Sequence, residues 1–345
     1  MGKFTEPSEI KAGVVGYSSA FNMGRKQLQE MAKAGMTPFA VCEIDPARLE
    51  AAKQDFPGIA TYSSMEEMLK NSDLNLVVLI TPHNLHAEQA IQCLSAGKHV
   101  ICEKPFAITT EECDAMIAKA RETGLMLSTY HNRHWDPGIL AAMRVLQDGR
   151  IGEVYKIEAN MGGWNRPGEW WRSSKSISGG ILYDWGVHLL EYCLQIFAGA
   201  KLTEVSGFAR RGYWSDQIKW GEDSNEDEGY LVARFDTGQW LRLCITSIDC
   251  HLKPSGLGVS GTRGALVVGP GTCKAIWKTE DGSTLTEEFS GLQGEHEKFY
   301  ANIAAHLVDG EPLIISPEWA RRPIHIIDLA GQSAEQGRAL ASRYE

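Results

Sequence analysis

Short apolar runs alternate with stretches of helical spacing over the first 130 residues or so. Ile10-Lys-Ala-Gly-Val-Val-Gly16 is an apolar stretch closed by glycine, and Gly24 to Ala34 repeats Met and Leu at helical intervals. That pattern predicts strand, tight turn, helix. The unit recurs, with Thr37 to Ile44 as a strand, Pro46 to Asp55 as a helix with Pro in its first turn, and Leu74 to Thr81 as a fully buried strand. Ser64-Met-Glu-Glu67 and Thr109-Thr-Glu-Glu112 both fit the capping box, in which a hydroxyl and a Glu side chain satisfy the orphan amides of a helix start. His99 to Cys102 and Leu125 to Thr129 supply two more strands.

Such alternation predicts an α/β fold with a doubly wound parallel sheet, covered on both faces, whose ligand crevice lies at the C-terminal ends of the strands. Gly16 to Gly24, Glu43, Thr81-Pro82 and Glu103-Lys104-Pro105 each follow a predicted strand, so they should surround one cleft. Beyond about residue 130 the period changes. Val154 to Ala159, Gly229 to Phe235, Trp240 to Ser247 and Ala265 to Val268 alternate between Gly-rich turns and predict an α+β domain with a large, mostly antiparallel open sheet. Helical stretches at Glu295 to Val308 and Pro317 to Leu340 close the chain. The 345 residues are about twice the size of one domain. Residues 1–130 and 131–345 are read as the two domains, with the C-terminal helix a candidate to pack back on the first.

Composition narrows the partners. Lys plus Arg number 34 against 44 Asp plus Glu, a net charge of -10, with no block of basic residues to offset it. Nucleic acid, which is bound by clustered cations, is therefore not expected. The eight cysteines, Cys42, Cys93, Cys102, Cys113, Cys193, Cys244, Cys250 and Cys273, form no C-x-x-C pair and read as free thiols of a reducing compartment. Met1 to Lys11 lacks the apolar core of a signal peptide, and Glu6 stands where myristoylation wants Ser or Thr. The longest apolar run, Leu74 to Ile80, is far too short to span a bilayer. A cytoplasmic protein without a membrane partner is expected.

The turn after the first strand reads Gly16-Tyr17-Ser18-Ser19-Ala20-Phe21-Asn22-Met23-Gly24. A dinucleotide fingerprint places glycines here so that the backbone can approach a pyrophosphate seated on the helix N-terminus. Ser18 stands for the second glycine and the last is delayed by insertion, so a glycine turn without a ligand is an open alternative from these residues alone. Gly16, Ser18, Phe21, Asn22 and Met23 are the candidate cofactor contacts. Glu43 ends the next strand, nineteen positions beyond Gly24 (43 minus 24), where such folds place a carboxylate for the ribose hydroxyls. NAD is favoured over NADP because Glu43 would repel a 2′-phosphate, and the nearest cation, Arg48, should lie on the following helix. Asp45 has the alternative role of capping the helix that begins at Pro46.

Thr81-Pro-His-Asn-Leu-His86, Ala96-Gly-Lys-His-Val-Ile-Cys-Glu-Lys-Pro105 and Gly179-Gly-Ile-Leu-Tyr-Asp-Trp-Gly-Val-His188 together resemble the Gfo/Idh/MocA oxidoreductases, the family of glucose-fructose oxidoreductase and inositol 2-dehydrogenase. The resemblance covers nearly the whole chain, and Gly97 to Pro105 is its most specific part. It implies a Rossmann N-terminal domain, a C-terminal α/β domain with a large open sheet, and hydride transfer between nicotinamide and a sugar-like alcohol. Carried over by position, it implies that Thr81, Pro82 and His86 line the nicotinamide side, Glu103 holds the cofactor's ribose, Lys104 bridges ribose and substrate, and Asp184 and His188 contact the reacting alcohol. The chain departs from the family pattern at Ser18, His83 and Glu191.

Oxidising a secondary alcohol sends a hydride to nicotinamide and a proton to a base, so the site needs a group titrating near neutrality. His188 has that property unperturbed. Asp184 and His188 are spaced i and i+4, which on a helix puts both on one face and lets the carboxylate orient the ring. Lys104, beside Glu103 and before Pro105, suits polarising the substrate oxygen. Lys104, Asp184 and His188 are thus the catalytic candidates, and which of Lys104 and His188 takes the proton stays open. His131, His134, Asp184 and His188 match no zinc spacing, so no metal is expected. Asn132-Arg133 resembles the family's interdomain segment.

Trp164-Asn-Arg-Pro-Gly-Glu-Trp-Trp-Arg172 precedes the Gly179-Gly180 turn. Trp164, Arg166, Trp171 and Arg172 are the candidate substrate contacts, aromatic faces for C–H surfaces and guanidinium forks for hydroxyls or a carboxylate. A sugar, a sugar acid or a cyclitol is the expected substrate, oxidised or reduced by an NAD(H)-dependent dehydrogenase. Two alternatives share these residues: a glycoside-cleaving enzyme that recycles tightly bound NAD, and a non-catalytic NAD-bound sensor or scaffold. An open sheet face predicts a homodimer or homotetramer.

Overall fold

A computed structural model describes residues 4–17, 22–251 and 256–344 of the chain. The chain forms two compact units, one from the residues up to His131 with Glu297–Arg322, the other from Asn132–His296 with the residues from Pro323 onward.

In the first unit, strands and helices alternate as β1 (Lys11–Val15), α1 (Met23–Lys33), β2 (Thr37–Cys42), α2 (Pro46–Asp55), β3 (Ala60–Tyr62), α3 (Met65–Leu69), β4 (Leu76–Leu79), α4 (His86–Ser95), β5 (His99–Cys102), α5 (Thr110–Thr123) and β6 (Leu127–Thr129). Among the described residues these strands make one six-stranded sheet in the order β3-β2-β1-β4-β5-β6, with every pair parallel. Every residue of β4 and β5 is buried, as a sheet covered on both faces requires. Strand order reverses between β1 and β4, which puts the ligand crevice at their C-terminal ends.

Local signals account for most of the boundaries. The Thr109 box closes, with the Glu112 amide donating to Thr109 Oγ1 at 3.1 Å and the Thr109 amide donating to Glu112 Oε2 at 3.2 Å. The Ser64 box does not form: Ser64 takes the N-cap position of α3 without a cap hydrogen bond, and Glu67 accepts from Lys70 instead. α3 has only five residues, too few to hold a reciprocal cap in place. α2 starts at Pro46, with Asp45 Oδ1 accepting from the Ala47 amide at 2.9 Å. The edge strand β3 was not expected, since three half-buried residues carry no period to read.

In the second unit the order is α6 (Pro137–Gln147), β7 (Val154–Gly162), α7 (Lys175–Ser178), α8 (Leu182–Ile196), β8 (Leu202–Arg210), β9 (Glu228–Phe235), β10 (Trp240–Thr246), β11 (Gly256–Gly261), β12 (Gly264–Val268), β13 (Cys273–Lys278) and β14 (Thr284–Phe289). The chain then gives α9 (Lys298–Asp309) to the first unit, enters α10 (Pro317–Gln336), and ends in β15 (Leu340–Ala341). Within the described residues the second sheet has nine strands in the order β14-β13-β12-β11-β7-β10-β9-β8-β15, with β7 and β10 parallel and the other neighbours antiparallel. The C-terminal helix stops earlier than its apolar pattern predicts. Gly337 turns left-handed at φ +65, and Leu340 pairs with Val205 as a strand.

One face of this sheet is a continuous core. Leu257, Ala159, Leu243 and Leu231 stand in register across four strands, as do Val259, Ile157, Leu241 and Ala233, and all are buried. α8 lies on this face, with Gly186 packed against Leu243. The opposite face carries Lys156, Glu158, Asn160 and Arg242, linked by Arg242 bonds of 2.7 Å to Glu158 and 2.8 Å to Asn160. Phe208, 62% exposed, and Val267, 45% exposed, stand on that same side.

Candidate active site

At the crest of the parallel sheet, Gly16 follows β1 with φ +90, and a Cβ there would collide with the Ile80 carbonyl. A Cβ on Gly24 would lie 2.5 Å from the Tyr17 carbonyl oxygen. Only glycine lets the turn pass this close to β4 and to its own first residues. Asn22 is left-handed at φ 49, and Met23 opens α1. Ser18 and Phe21 lie outside the described residues.

Glu43 is buried just past β2, and backbone amides hold both carboxylate oxygens: Tyr17 donates to Oε2 at 3.0 Å, Ile44 to Oε1 at 2.8 Å and Asp45 to Oε1 at 3.2 Å. Arg48 does sit on α2, but the helix does not keep it away from Glu43. Its guanidinium comes within 3.6 Å of Glu43 and 3.3 Å of Asp45.

The loops after β4 and β5 are tied together by a histidine. His86 is fully buried, with Nδ1 2.8 Å from the Pro105 carbonyl oxygen and Nε2 2.9 Å from that of Thr81. A neutral ring donates to one of these oxygens and a protonated ring to both. The Thr81 hydroxyl donates to Gln89 at 2.7 Å, Pro82 leads into the turn His83–Leu85, and the Lys104–Pro105 bond is cis. Glu103 accepts from Gln27 Nε2 at 2.5 Å and from the Lys104 amide at 3.2 Å. Gln27 in turn accepts from the Tyr300 hydroxyl. A close backbone approach that any Cβ would block, a helix start, and a buried carboxylate at the end of β2 together fit a dinucleotide.

In the second unit, Asp184 lies in the first turn of α8 and His188 one turn on. Asp184 keeps 35% of its side chain exposed, whereas His188 is 5% exposed, with the Trp185 ring 5.6 Å away. The start of α8 is held by Glu226, whose Oε2 accepts from the Ile181 amide at 3.0 Å. Lys175 at 2.9 Å and Arg211 at 2.6 Å neutralise Glu226. A Cβ on Gly180 would sit 2.7 Å from the Glu226 carboxylate, so the Gly179-Gly180 turn brings carboxylate and helix start together.

Arg172 connects the tryptophan loop to this helix. Its Nε is 3.8 Å from Asp184 Oδ1, and its guanidinium lies 4.9 Å from the Trp170 ring centre and 4.8 Å from that of Trp171. Arg172 thus links Trp170 and Trp171 to Asp184, one helical turn before His188. Arg166 is used differently, donating to the Gln217 carbonyl and to Glu169 and so stapling two loops. Trp164, 46% exposed, packs edge-on against Tyr213 at 5.1 Å and Trp214 at 6.0 Å.

A second polar centre sits where α6 begins. Asp136 accepts from Arg133 at 3.0 Å, from the Tyr192 hydroxyl and from His296 Nε2 at 2.6 Å. Burial pushes its carboxyl up, but these donors outweigh burial and leave it below the usual carboxylate range. His134 is bonded to Glu191 at 2.5 Å, and among the described residues no group of three or more His, Cys, Asp or Glu could hold a metal. Sequence reasoning missed Gln27, Tyr300, Glu226 and Asp136 as organising residues. Their key partners lie 273 positions off for Tyr300 and Gln27, 45 for Glu226 and Ile181, and 160 for Asp136 and His296, beyond any local motif.

Comparison with known proteins agrees with this architecture. Residues 10–131 match the Gfo/Idh/MocA oxidoreductase family's NAD-binding Rossmann fold, and residues 144–341 match the family's C-terminal alpha/beta domain. The chain is 27% identical to a scyllo-inositol 2-dehydrogenase (NADP(+)) of Bacillus subtilis over 96% of its own length and 95% of the relative's. It is 30% identical to the trans-1,2-dihydrobenzene-1,2-diol dehydrogenase of Sus scrofa over 68% of this chain and 66% of that one. An NAD-binding protein from Listeria innocua superposes with a TM-score of 0.80 at 26% identity, covering 97% of each chain. With matches spanning both units, the chain belongs to the Gfo/Idh/MocA family of oxidoreductases and pairs an NAD(P)-binding Rossmann unit with a C-terminal α/β unit.

Proposed function

We propose that this oxidoreductase moves a hydride between a nicotinamide dinucleotide and a secondary hydroxyl of a sugar, sugar acid or cyclitol. The observation that carries the reading is Asp184 and His188 one helical turn apart on α8, with the Arg172 guanidinium against Asp184 and within 5 Å of the Trp170 and Trp171 rings. Relatives named for a cyclitol and a cyclic diol support this substrate class.

Gly16, Asn22, Met23, Glu43, Thr81, Pro82 and Glu103 are the residues that would hold the dinucleotide, which when bound supplies the hydride acceptor or donor. His86 acts on that side by fixing the backbone of Thr81 and Pro105. His188 takes the hydroxyl proton in oxidation and returns it in reduction, and Asp184 orients the ring and stabilises its charged form. Lys104, on the loop after β5, supplies a cation suited to polarising a substrate oxygen. Arg172 donates to a neighbouring hydroxyl or carboxylate, and Trp171 and Trp164 offer faces to the ring's C–H bonds.

For the cofactor, Glu43 favours NAD, whose ribose hydroxyls a carboxylate accepts from. A specific observation supports a second reading, in which NADP is also taken: Arg48 lies 3.6 Å from Glu43, offsets its charge and could meet a 2′-phosphate. A homo-oligomer joined through the sheet face that carries Phe208 and Val267 completes the proposal.

The test is to add NAD or NADP to purified protein with inositols, sugars, sugar acids and diols, and to follow reduced nicotinamide by absorbance. Turnover of one cyclic polyol with either nucleotide is expected. Binding of dinucleotide without hydride exchange across the panel, in both directions, would overturn the substrate class.

A further inference from the structure

Glu103 stands at the C-terminal end of β5, in the crevice of the parallel sheet, and its carboxylate is not positioned by its own strand alone. Gln27, fully buried on α1, donates its Nε2 to Glu103 at 2.5 Å. The Tyr300 hydroxyl, from α9, donates to the Oε1 of that same Gln27 amide. Each link has a fixed direction. A carboxylate only accepts, so the amide must present its NH2 to Glu103, and the oxygen left on the other side needs a donor. Burial raises the Tyr300 phenol well above its usual range, and nearby Glu30 and Glu103 push it further up, so it keeps the proton it donates.

The helix that brings Tyr300 is anchored beside this chain of bonds. Tyr130 lies 5.8 Å from Tyr300 and 5.0 Å from Phe299 by ring centres. Its hydroxyl donates to Glu30 at 2.5 Å, one turn beyond Gln27 on α1. Two phenols therefore hold two polar groups on one face of α1. In a buried setting each such bond is costly to leave unmade, so the orientation passes from one group to the next.

We propose that Tyr300 and Gln27 are positioning residues that set the Glu103 carboxylate for the dinucleotide, so that a segment beyond the second sheet tunes the cofactor crevice of the first unit. The inference rests on the reading above that the first unit binds a nicotinamide dinucleotide. It adds that the binding half of the site is completed by α9.

Tyr300→Phe tests it, since the substitution removes one oxygen and keeps the ring. Two quantities are read in the intact chain. One is the Gln27 side-chain amide signal by NMR, identified by its loss in Gln27→Leu. The other is the affinity for reduced dinucleotide set against that for ADP, which lacks the nicotinamide half. In the native chain the amide protons are expected to be shifted and slow to exchange, and in Tyr300→Phe to exchange fast. Dinucleotide should bind roughly tenfold more weakly with ADP unchanged, the loss expected for one misdirected charge-assisted bond.

Unchanged amide exchange, unchanged dinucleotide affinity, or an equal loss for ADP would each overturn the proposal, the last by showing general damage. If Tyr300→Phe does not fold, Gln27→Met reads the same affinity ratio. A native chain that binds ADP but no dinucleotide would defeat the cofactor reading, and this functional role with it, while the amide signal still decides the hydrogen-bond relay.

Discussion

Arg172 holds its guanidinium 3.8 Å from the Asp184 carboxylate while stacked at under 5 Å on the rings of Trp170 and Trp171. The guanidinium therefore presents its plane to the aromatic rings and its edge toward the Asp184 carboxylate. Lysine cannot reproduce a planar, stacked fork. Arg172→Lys is expected to lower kcat/KM for the polyol about tenfold, mainly through KM, with dinucleotide affinity unchanged. Steady-state kinetics that match the native chain would remove Arg172 from substrate binding.

His188→Gln separates chemistry from binding. Glutamine retains hydrogen-bonding atoms but cannot take a proton near neutrality, and loss of a general base costs about 100-fold or more in kcat. Dinucleotide affinity, read by fluorescence, is expected to stay within twofold of native, on the order of 0.4 kcal/mol. A kcat that barely moves would show that His188 is not the base.

Two helix starts that look alike in sequence should behave differently. Thr109 and Glu112 cap each other's amides, whereas Ser64 makes no cap bond. Thr109→Ala is expected to cost about 1 kcal/mol in denaturant unfolding, and Ser64→Ala close to nothing. Equal losses would mean that the box at α3 forms after all.

Period and punctuation made the first unit legible: the buried runs at β4 and β5, the glycine after β1 and Pro46 at the start of α2 all read directly from neighbours in sequence. Asp184 and His188 were legible because a helix makes i and i+4 a face. What could not be read depends on chain return. Tyr300 reaches Gln27 only because α9 belongs to the first unit, and Glu226 reaches the start of α8 only because the loop before β9 folds over it. Arg48 lies on α2 as the sequence predicts, but that place said nothing about how far a guanidinium reaches back toward Glu43.

Asp136 should leave a signature in acid. Because its donors hold the carboxyl below the usual range despite burial, the folded state favours the ionised form. That stability is fully present above the unfolded value near 3.9 and is lost as pH falls through the lower folded value. Asp136→Asn is expected to unfold more easily than the native chain at pH 7, by about 3 kcal/mol, the cost of breaking a buried charge network. The gap should narrow as pH drops below about 4. Melting curves that stay parallel from neutral to acid pH would show that Asp136 is not ionised in the folded chain.

His86 offers the sharpest test of how the crevice is built. Its ring bridges the Thr81 and Pro105 carbonyls, and these belong to the two loops that carry Pro82 and Lys104. His86→Leu fills similar volume but takes away the ring that bridges both oxygens and the N–H it donates, and an unmet buried hydrogen bond costs about 1–3 kcal/mol. His86→Gln returns one NH2 group and so should meet one carbonyl of the two. Stability is therefore expected to fall in the order native, Gln, Leu. Hydrogen exchange should rise first in residues 81–86 and 103–106, because local opening is governed by the bonds that tie a segment down. Dinucleotide affinity should follow the same order, since loosened loops must be reordered on binding. A leucine variant as stable and as well protected as the native chain would leave the two loops held by their strands alone, and would return His86 to the role of a direct cofactor contact.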